Sequence, residues 1–314
     1  MNGRKIGIWL IGAWGRIGTA LTVVLAGLQS RTIATGGLVT EQPEFAGLEL
    51  AEWSRFVLGG HEIRKTSSTV EARNLFTKSK TVTAERLAAL APTMSNWDRN
   101  VRTGTLLNSG PAIESRASTA TLKTRSERPS AALQRITVDL EEFRNSAGSD
   151  HVIVVNVASV DPPMQNCDSL SCRELLESLE RCEFSPVSMS VLYAVAAFQS
   201  SCSYLNWTQS TSPNLPALEG LAREKDALYM GREGRTDLVS IGLLNKAADD
   251  ERLRSASALL DVLRLCEREH RRGVSGAMTF LSCFFERPWG NALDDVAAQR
   301  ALLYDWARRV SSNG

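Results

Sequence analysis

Apolar and polar positions along the chain alternate between two textures. KIGIWLIG (Lys5 to Gly12) is a short, nearly unbroken apolar run that ends in glycine, as a fully buried strand of a parallel sheet does. Directly after it, Ile17, Ala20, Leu21, Val24, Leu25 and Leu28 recur at helical spacing. TIATGGLVTE (Thr32 to Glu41) reads as a second strand closing on a polar turn, and FVLGGHEI (Phe56 to Ile63) as a third. From about 62 to 148 the texture is that of a helical insertion, with AERLAALAP and SAALQRITVDLEEFRN separated by the turn-rich RTGTLLNSGPAIES.

The sheet pattern returns at HVIVVNVAS (His151 to Ser159), a Val/Ile run suited to a central strand. SVLYAVAAFQSSC (Ser190 to Cys202) follows as a helix, SYLNWTQSTSPN as a strand entering a polar loop, and LPALEGLAREKDA as a helix with Pro216 in its first turn. ASALLDVLRLCEREHRRG predicts a long helix closed by Gly273. TFLSCFFERPWG predicts an extended segment stopped at Pro288, and DDVAAQRALLYDWARRV a final helix led by aspartates. Strands alternating with helices predict an α/β class fold, a Rossmann-type doubly wound parallel sheet with a helical insertion.

Strand, glycine turn and helix at the N-terminus occur in the order that a dinucleotide-binding unit requires. Gly12, Gly15 and Gly18 are spaced GxxGxxG, with Ala13 and Trp14 inside the loop and Arg16 and Ile17 opening the helix. A tight turn that only saves space is the alternative. A ribose-binding acid is expected roughly 20 residues further on. No acid lies between Gly18 and Glu41, which leaves Glu41 either as that acid or as an ordinary loop residue. His61 follows a Gly-Gly pair at a strand end, where it is either a projecting catalytic side chain or a hydrogen-bonded loop histidine. Trp97, Asp98 and Arg99 read as surface residues.

Composition narrows the classes of partner. The 314 residues are 43% hydrophobic and 23% charged, and 36 Lys plus Arg balance 35 Asp plus Glu, so no net field favours nucleic acid or an acidic membrane. Six scattered cysteines without a CxxC pair read as reduced core thiols, not as a metal site. No apolar run reaches the about 18 residues that a membrane helix needs, and the chain reads as cytoplasmic.

Several stretches together resemble the myo-inositol-1-phosphate synthase family, particularly its bacterial relatives. They are IGIWLIGAWGRIGTAL, GLVTEQPEFAG with VLGGHEI, LNSGPAIES, VIVVNVASVDPP, YLNWTQSTSPNLPALEGLARE, YMGREGRT and LLDVLRLCEREHRRGVSGAMTFLSCFFERPWG, in order over most of residues 4 to 306. The resemblance implies an NAD-binding Rossmann-type domain over 1–240. It also implies an NAD-dependent isomerisation and cyclisation of glucose 6-phosphate to inositol phosphate, a step of inositol and phospholipid biosynthesis. Gly12, Ala13, Trp14, Gly15, Arg16, Ile17, Gly18, Glu41, Ser159, Asp161, Asn206, Thr208 and Ser210 are the implied cofactor contacts. Arg235, where the family has a lysine, and Lys246 are the implied catalytic cations.

The chain departs from the family at Val160, where a hydroxyl is lost, and at Gln209. Only Asp237 to Ser257 bridge the point at which the family places a long catalytic and subunit-interface block, so a bridge over 241–257 leads into a C-terminal helical segment, 258–314, that packs back on the first domain. An active synthase, a catalytically degenerate NAD-binding subunit and a diverged sugar-phosphate oxidoreductase or cyclase all fit this pattern. The expected partners are a sugar phosphate and another subunit, either a second copy or a complete synthase.

Overall fold

In the computed structural model the described residues are 5–77, 82–162, 170–181, 187–211, 216–235, 250–290 and 293–312. They build a seven-stranded sheet in the order β3-β2-β1-β4-β5-β6-β7, with every neighbouring pair parallel. The strands are β1 (Lys5–Ile11), β2 (Phe56–Glu62), β3 (Val101–Thr103), β4 (Ser149–Asn156), β5 (Ser203–Asn206), β6 (Leu228–Gly231) and β7 (Gly276–Ala277). The order reverses direction between β1 and β4, the switch point at which open α/β sheets place their ligands.

The helices are α1 (Arg16–Gln29), α2 (Ser68–Phe76), α3 (Ala84–Asp98), α4 (Pro111–Glu114), α5 (Thr119–Leu122), α6 (Pro129–Ala147), α7 (Cys172–Arg181), α8 (Met189–Gln199), α9 (Pro216–Glu224), α10 (Glu251–Arg271) and α11 (Val296–Ser312). Helices α2, α3 and α10 pack with α1 on one side of the sheet, and α6, α8 and α9 form the layer on the other. Coverage of both faces explains why β1 and β4 read as continuous apolar runs instead of alternating ones: Ile8, Trp9, Val152, Ile153, Val154 and Val155 are all fully buried. Helix α6 approaches the sheet closely at two glycines. A Cβ at Gly7 or Gly59 would stand 2.7 or 2.8 Å from the Phe143 ring, so the ring fills the space that side chains there would take.

The structure corrects three expectations. Thr32 to Glu41 is not a strand: Val39–Glu41 is a 3-10 turn, and β2 is the neighbour of β1. The amides of Val39 and Thr40 donate to the buried Asp261 carboxylate on α10 at 2.8 and 2.9 Å, which removes them from any ladder. Residues 62–148 are not purely helical, since they supply β3 at the sheet edge. TFLSCFFERPWG is a 3-10 helix over Thr279–Phe284, after which Phe285 pairs with Gly234 through an isolated bridge. The long C-terminal helix, α10, lies against α1 and β4, and α11 packs against the Thr279–Phe284 turn.

Candidate functional site

The glycine loop leaves β1 and turns into α1, and each glycine has a separate reason to be one. Gly12 has φ +85°, a conformation that side chains rarely adopt. A Cβ on Gly18 would lie 2.5 Å from the Ala13 carbonyl oxygen, so the helix seats on the loop only without one. At Gly15 a Cβ would meet the Gly12 oxygen at 3.0 Å and nothing else closer than 3.9 Å, because that side faces a cavity. Turn, close helix packing and a bare backbone towards the ligand are the three roles of a dinucleotide-binding loop. Helix α1 has no side-chain cap and no acid in its first turn, so its N-terminal N–H groups and dipole are left for an anion.

The loop is held from β2. The amides of Gly12 and Ala13 donate to the His61 carbonyl oxygen at 2.9 and 3.1 Å, and the amide of Trp14 donates to Glu62 Oε2 at 2.8 Å. The Trp14 indole N–H donates to Asp98 Oδ1 at 2.7 Å, and Asp98 also accepts from the Ser68 amide and hydroxyl. Asp98 is therefore no idle surface acid, and Trp97 beside it is buried.

Glu62 is the residue that spacing missed. It is buried at the C-terminal end of β2, the place where an acid reads the adenosine ribose. Residues 30–55, inserted between α1 and β2, displaced it from the expected interval. The Gly-Gly-His-Glu ending of an apolar run was the available signal.

A cavity of about 800 Å³ opens at the ends of β1, β2 and β4, with Gly12, Gly15, Glu62, Thr105, Asn156 and Tyr193 among its walls. His61 also lines it. The Trp9 indole N–H donates to His61 Nδ1 at 3.3 Å, so Nε2 carries the proton and donates to Asp139 at 2.9 Å. Burial pushes this imidazole below its ordinary pKa, against the pull of Asp139. It is a neutral, fixed side chain.

A second cavity, of about 530 Å³, adjoins the first and shares Arg16, Ile17 and Val157 to Val160 with it. Trp207, Thr208, Gly234, Arg235 and Glu286 continue its wall. The Arg235 side chain is buried, donating from Nε to the Phe285 carbonyl at 2.9 Å and pairing with Glu286 at 3.2 Å. Among the described residues, the cations of the two walls are arginines.

The expected contacts divide. Gly12, Gly15, Arg16, Ile17, Ser159 and Asp161 line the first cavity; Arg16, Ile17, Ser159, Thr208 and Arg235 line the second. Ala13, Trp14 and Gly18 stand behind the loop. Asn206 and Ser210 do the same one strand further along: the Asn206 amide donates to the Ser210 carbonyl and its oxygen accepts from Thr208. Asp161 is buried and accepts from the Ser190 amide and hydroxyl at 2.9 and 3.0 Å, which ties the end of β4 to the start of α8. Glu41 is elsewhere, paired with Arg264 of α10 and outside both linings. Lys246 lies outside the described residues, as do Cys167 and Cys182.

An NAD-binding family model described as myo-inositol-1-phosphate synthase matches residues 6–308. The chain belongs to the myo-inositol-1-phosphate synthase family. An inositol-3-phosphate synthase of Drosophila melanogaster is 31% identical over 113 residues, a match that takes in 34% of this chain and spans about a fifth of the fly protein's length, 20%.

Solved synthase-family structures share the fold. The inositol-3-phosphate synthase of Caenorhabditis elegans superposes with TM-score 0.77 at 13% identity, over 98% of this chain and 86% of the worm chain. A myo-inositol-1-phosphate synthase-related protein of Thermotoga maritima gives 0.68 at 13% identity, over 97% and 98%. The protein Ari2 gives 0.58 at 11% identity, over 98% and 100%. No cluster of three metal-binding side chains and no helix long and apolar enough to cross a membrane occurs among the described residues.

Proposed function

We propose that this chain binds a nicotinamide dinucleotide in the first cavity and a sugar phosphate in the second, as an inositol-3-phosphate synthase-like protein. The glycine loop carries this reading: its three glycines each meet a distinct need of a pyrophosphate site and it forms a wall of the larger cavity. Gly15 and the first turn of α1 would hold the pyrophosphate, and the Val157 to Asp161 segment would face the redox-active end. The bound nicotinamide supplies reversible hydride transfer. Arg16 borders both cavities and Arg235 the second, which suits anionic oxygens of a phosphorylated sugar.

Titration calorimetry of the purified chain with NAD and NADP tests the first half of this reading, and failure of both to bind overturns it. The second half is tested by incubating the loaded protein with glucose 6-phosphate and assaying inositol phosphate. A second reading is favoured by the arginines: a guanidinium holds anions but does not readily give up a proton, as acid-base steps of the family reaction require. On that reading the chain is a dinucleotide-binding subunit without synthase turnover. Binding without product, together with co-elution with a complete synthase, is its expected signature, and turnover by the isolated chain rejects it.

A further inference from the structure

The end of β2 decides which dinucleotide fits, an inference that rests on the cofactor reading above. In this scaffold an acid free at that point accepts the ribose 2′-hydroxyl, whereas a nearby arginine accommodates a 2′-phosphate. Glu62 is not free. Its Oε1 accepts from the amides of Ile63 and Arg64 and from Arg64 Nε at 2.8, 3.1 and 3.2 Å; its Oε2 accepts from the Trp14 amide and Arg64 Nη2 at 2.8 and 3.1 Å. A carboxylate offers about four lone-pair sites, so these N–H groups leave no room for a sugar hydroxyl. Glu62 instead locks the Arg64 fork at the rim of the cavity.

Other cations gather at the same place. Arg64 and Arg116 both line the first cavity, and the turn that follows Arg116 is pinned to the β2 end, since the Ser118 amide and Thr121 hydroxyl donate to the Ile63 carbonyl at 2.8 and 2.9 Å. Arg116 is exposed, and its guanidinium is engaged by no described side chain. Exposed Lys65 follows Arg64, and Arg16 stands on the glycine-loop side. Facing these four cations are two carboxylates, Glu62 and Glu71, the latter paired with Arg64 Nη1 at 3.1 Å and with the Thr66 hydroxyl at 2.9 Å. Asp161, the other acid of the cavity wall, is occupied by serines near the end of β4.

We propose that this end of the cavity reads a phosphate on the adenosine ribose 2′ position through Arg64 and Arg116, so that the chain takes NADP in preference to NAD. Calorimetry of the full chain with each dinucleotide, and with adenosine 2′,5′-bisphosphate against 5′-AMP as fragments, tests it. The 2′-phosphorylated ligand of each pair is expected to bind about tenfold tighter or more, as charge-assisted bonds to a phosphate provide. Arg116→Ala, an exposed position whose loss leaves the Glu62 network intact, is expected to erase most of that ratio while moving NAD affinity less than twofold. NAD binding as tightly as NADP overturns the proposal and leaves the dinucleotide site standing. Equal losses for both ligands in Arg116→Ala overturn the assigned role. Binding of neither dinucleotide removes the proposal together with the reading it rests on.

Discussion

The Trp14 amide and the Glu62 carboxylate meet at 2.8 Å, so the glycine loop after β1 and the end of β2 are one rigid unit, not two loops that happen to share a cavity. Glu62→Ala removes the acceptor for three backbone amides and the Arg64 fork at once. A cost of about 3 kcal/mol in unfolding free energy is expected, as for other buried charged groups that lose a partner. Denaturant unfolding measures it. Dinucleotide affinity should fall with it, and Glu62→Gln, which keeps the shape, should restore more stability than affinity. A stability unchanged by Glu62→Ala would show that the carboxylate does not hold the loop.

The glycines of the loop separate binding from folding. At Gly15 the added side chain points into the cavity, so Gly15→Val should abolish dinucleotide binding while unfolding stays cooperative, with a midpoint near that of the parent. Gly18→Ala should do the reverse. Its Cβ falls 2.5 Å from the Ala13 oxygen, backbone that cannot rotate away, and overpacking of this sort costs about 1–3 kcal/mol. Calorimetry and thermal melts on the pair give the comparison, and equal effects from both variants contradict the division.

The order of strands and the cofactor loop were legible because β1 and β4 are buried on both faces and their residues therefore read as unbroken apolar runs. The second strand was not, and neither was the acid at its end. Thr32 to Glu41 carries Ile33, Leu38 and Val39 and looks like a strand, but its amides go to Asp261, more than two hundred positions away. A partner so distant leaves no trace in local spacing. Trp14 and Asp98 were hidden in the same way: an indole in a glycine loop and an acid at a helix end acquire meaning only when α3 is brought beneath the loop.

Arg235 touches the second cavity while its Nε is spent on the Phe285 carbonyl and a terminal nitrogen on Glu286. Arg235→Lys keeps the charge but cannot reproduce the two-directional fork. Sugar-phosphate affinity, measured in the presence of saturating dinucleotide, should drop about tenfold, in line with the loss of one charge-assisted bond. Dinucleotide affinity should stay within twofold. Equal losses for both ligands place Arg235 in the cofactor site instead.

The three histidines of the chain make its stability sensitive to acid. His151 and His270 stack with ring centroids 3.6 Å apart and planes within 9°, beneath the N-terminal end of β4, and His151 Nε2 shares a hydrogen bond with Ser203. Burial holds His151 well below the ordinary imidazole pKa, reinforced by His270 and Arg144; burial and Arg144 lower His270, partly offset by Asp150. His61 is lowered as well, chiefly by burial. A folded pKa below the unfolded value near 6.5 means that the unfolded chain takes the proton first as pH falls. Stability from these groups is therefore complete above about pH 6.5 and is lost progressively below it. Thermal melts at pH 8 and pH 5.5 should show a lower midpoint in acid, and His270→Gln should shrink that difference by removing one titrating ring from the stack. A difference of the same size in the variant would place the acid sensitivity in the carboxylates, not in this histidine pair.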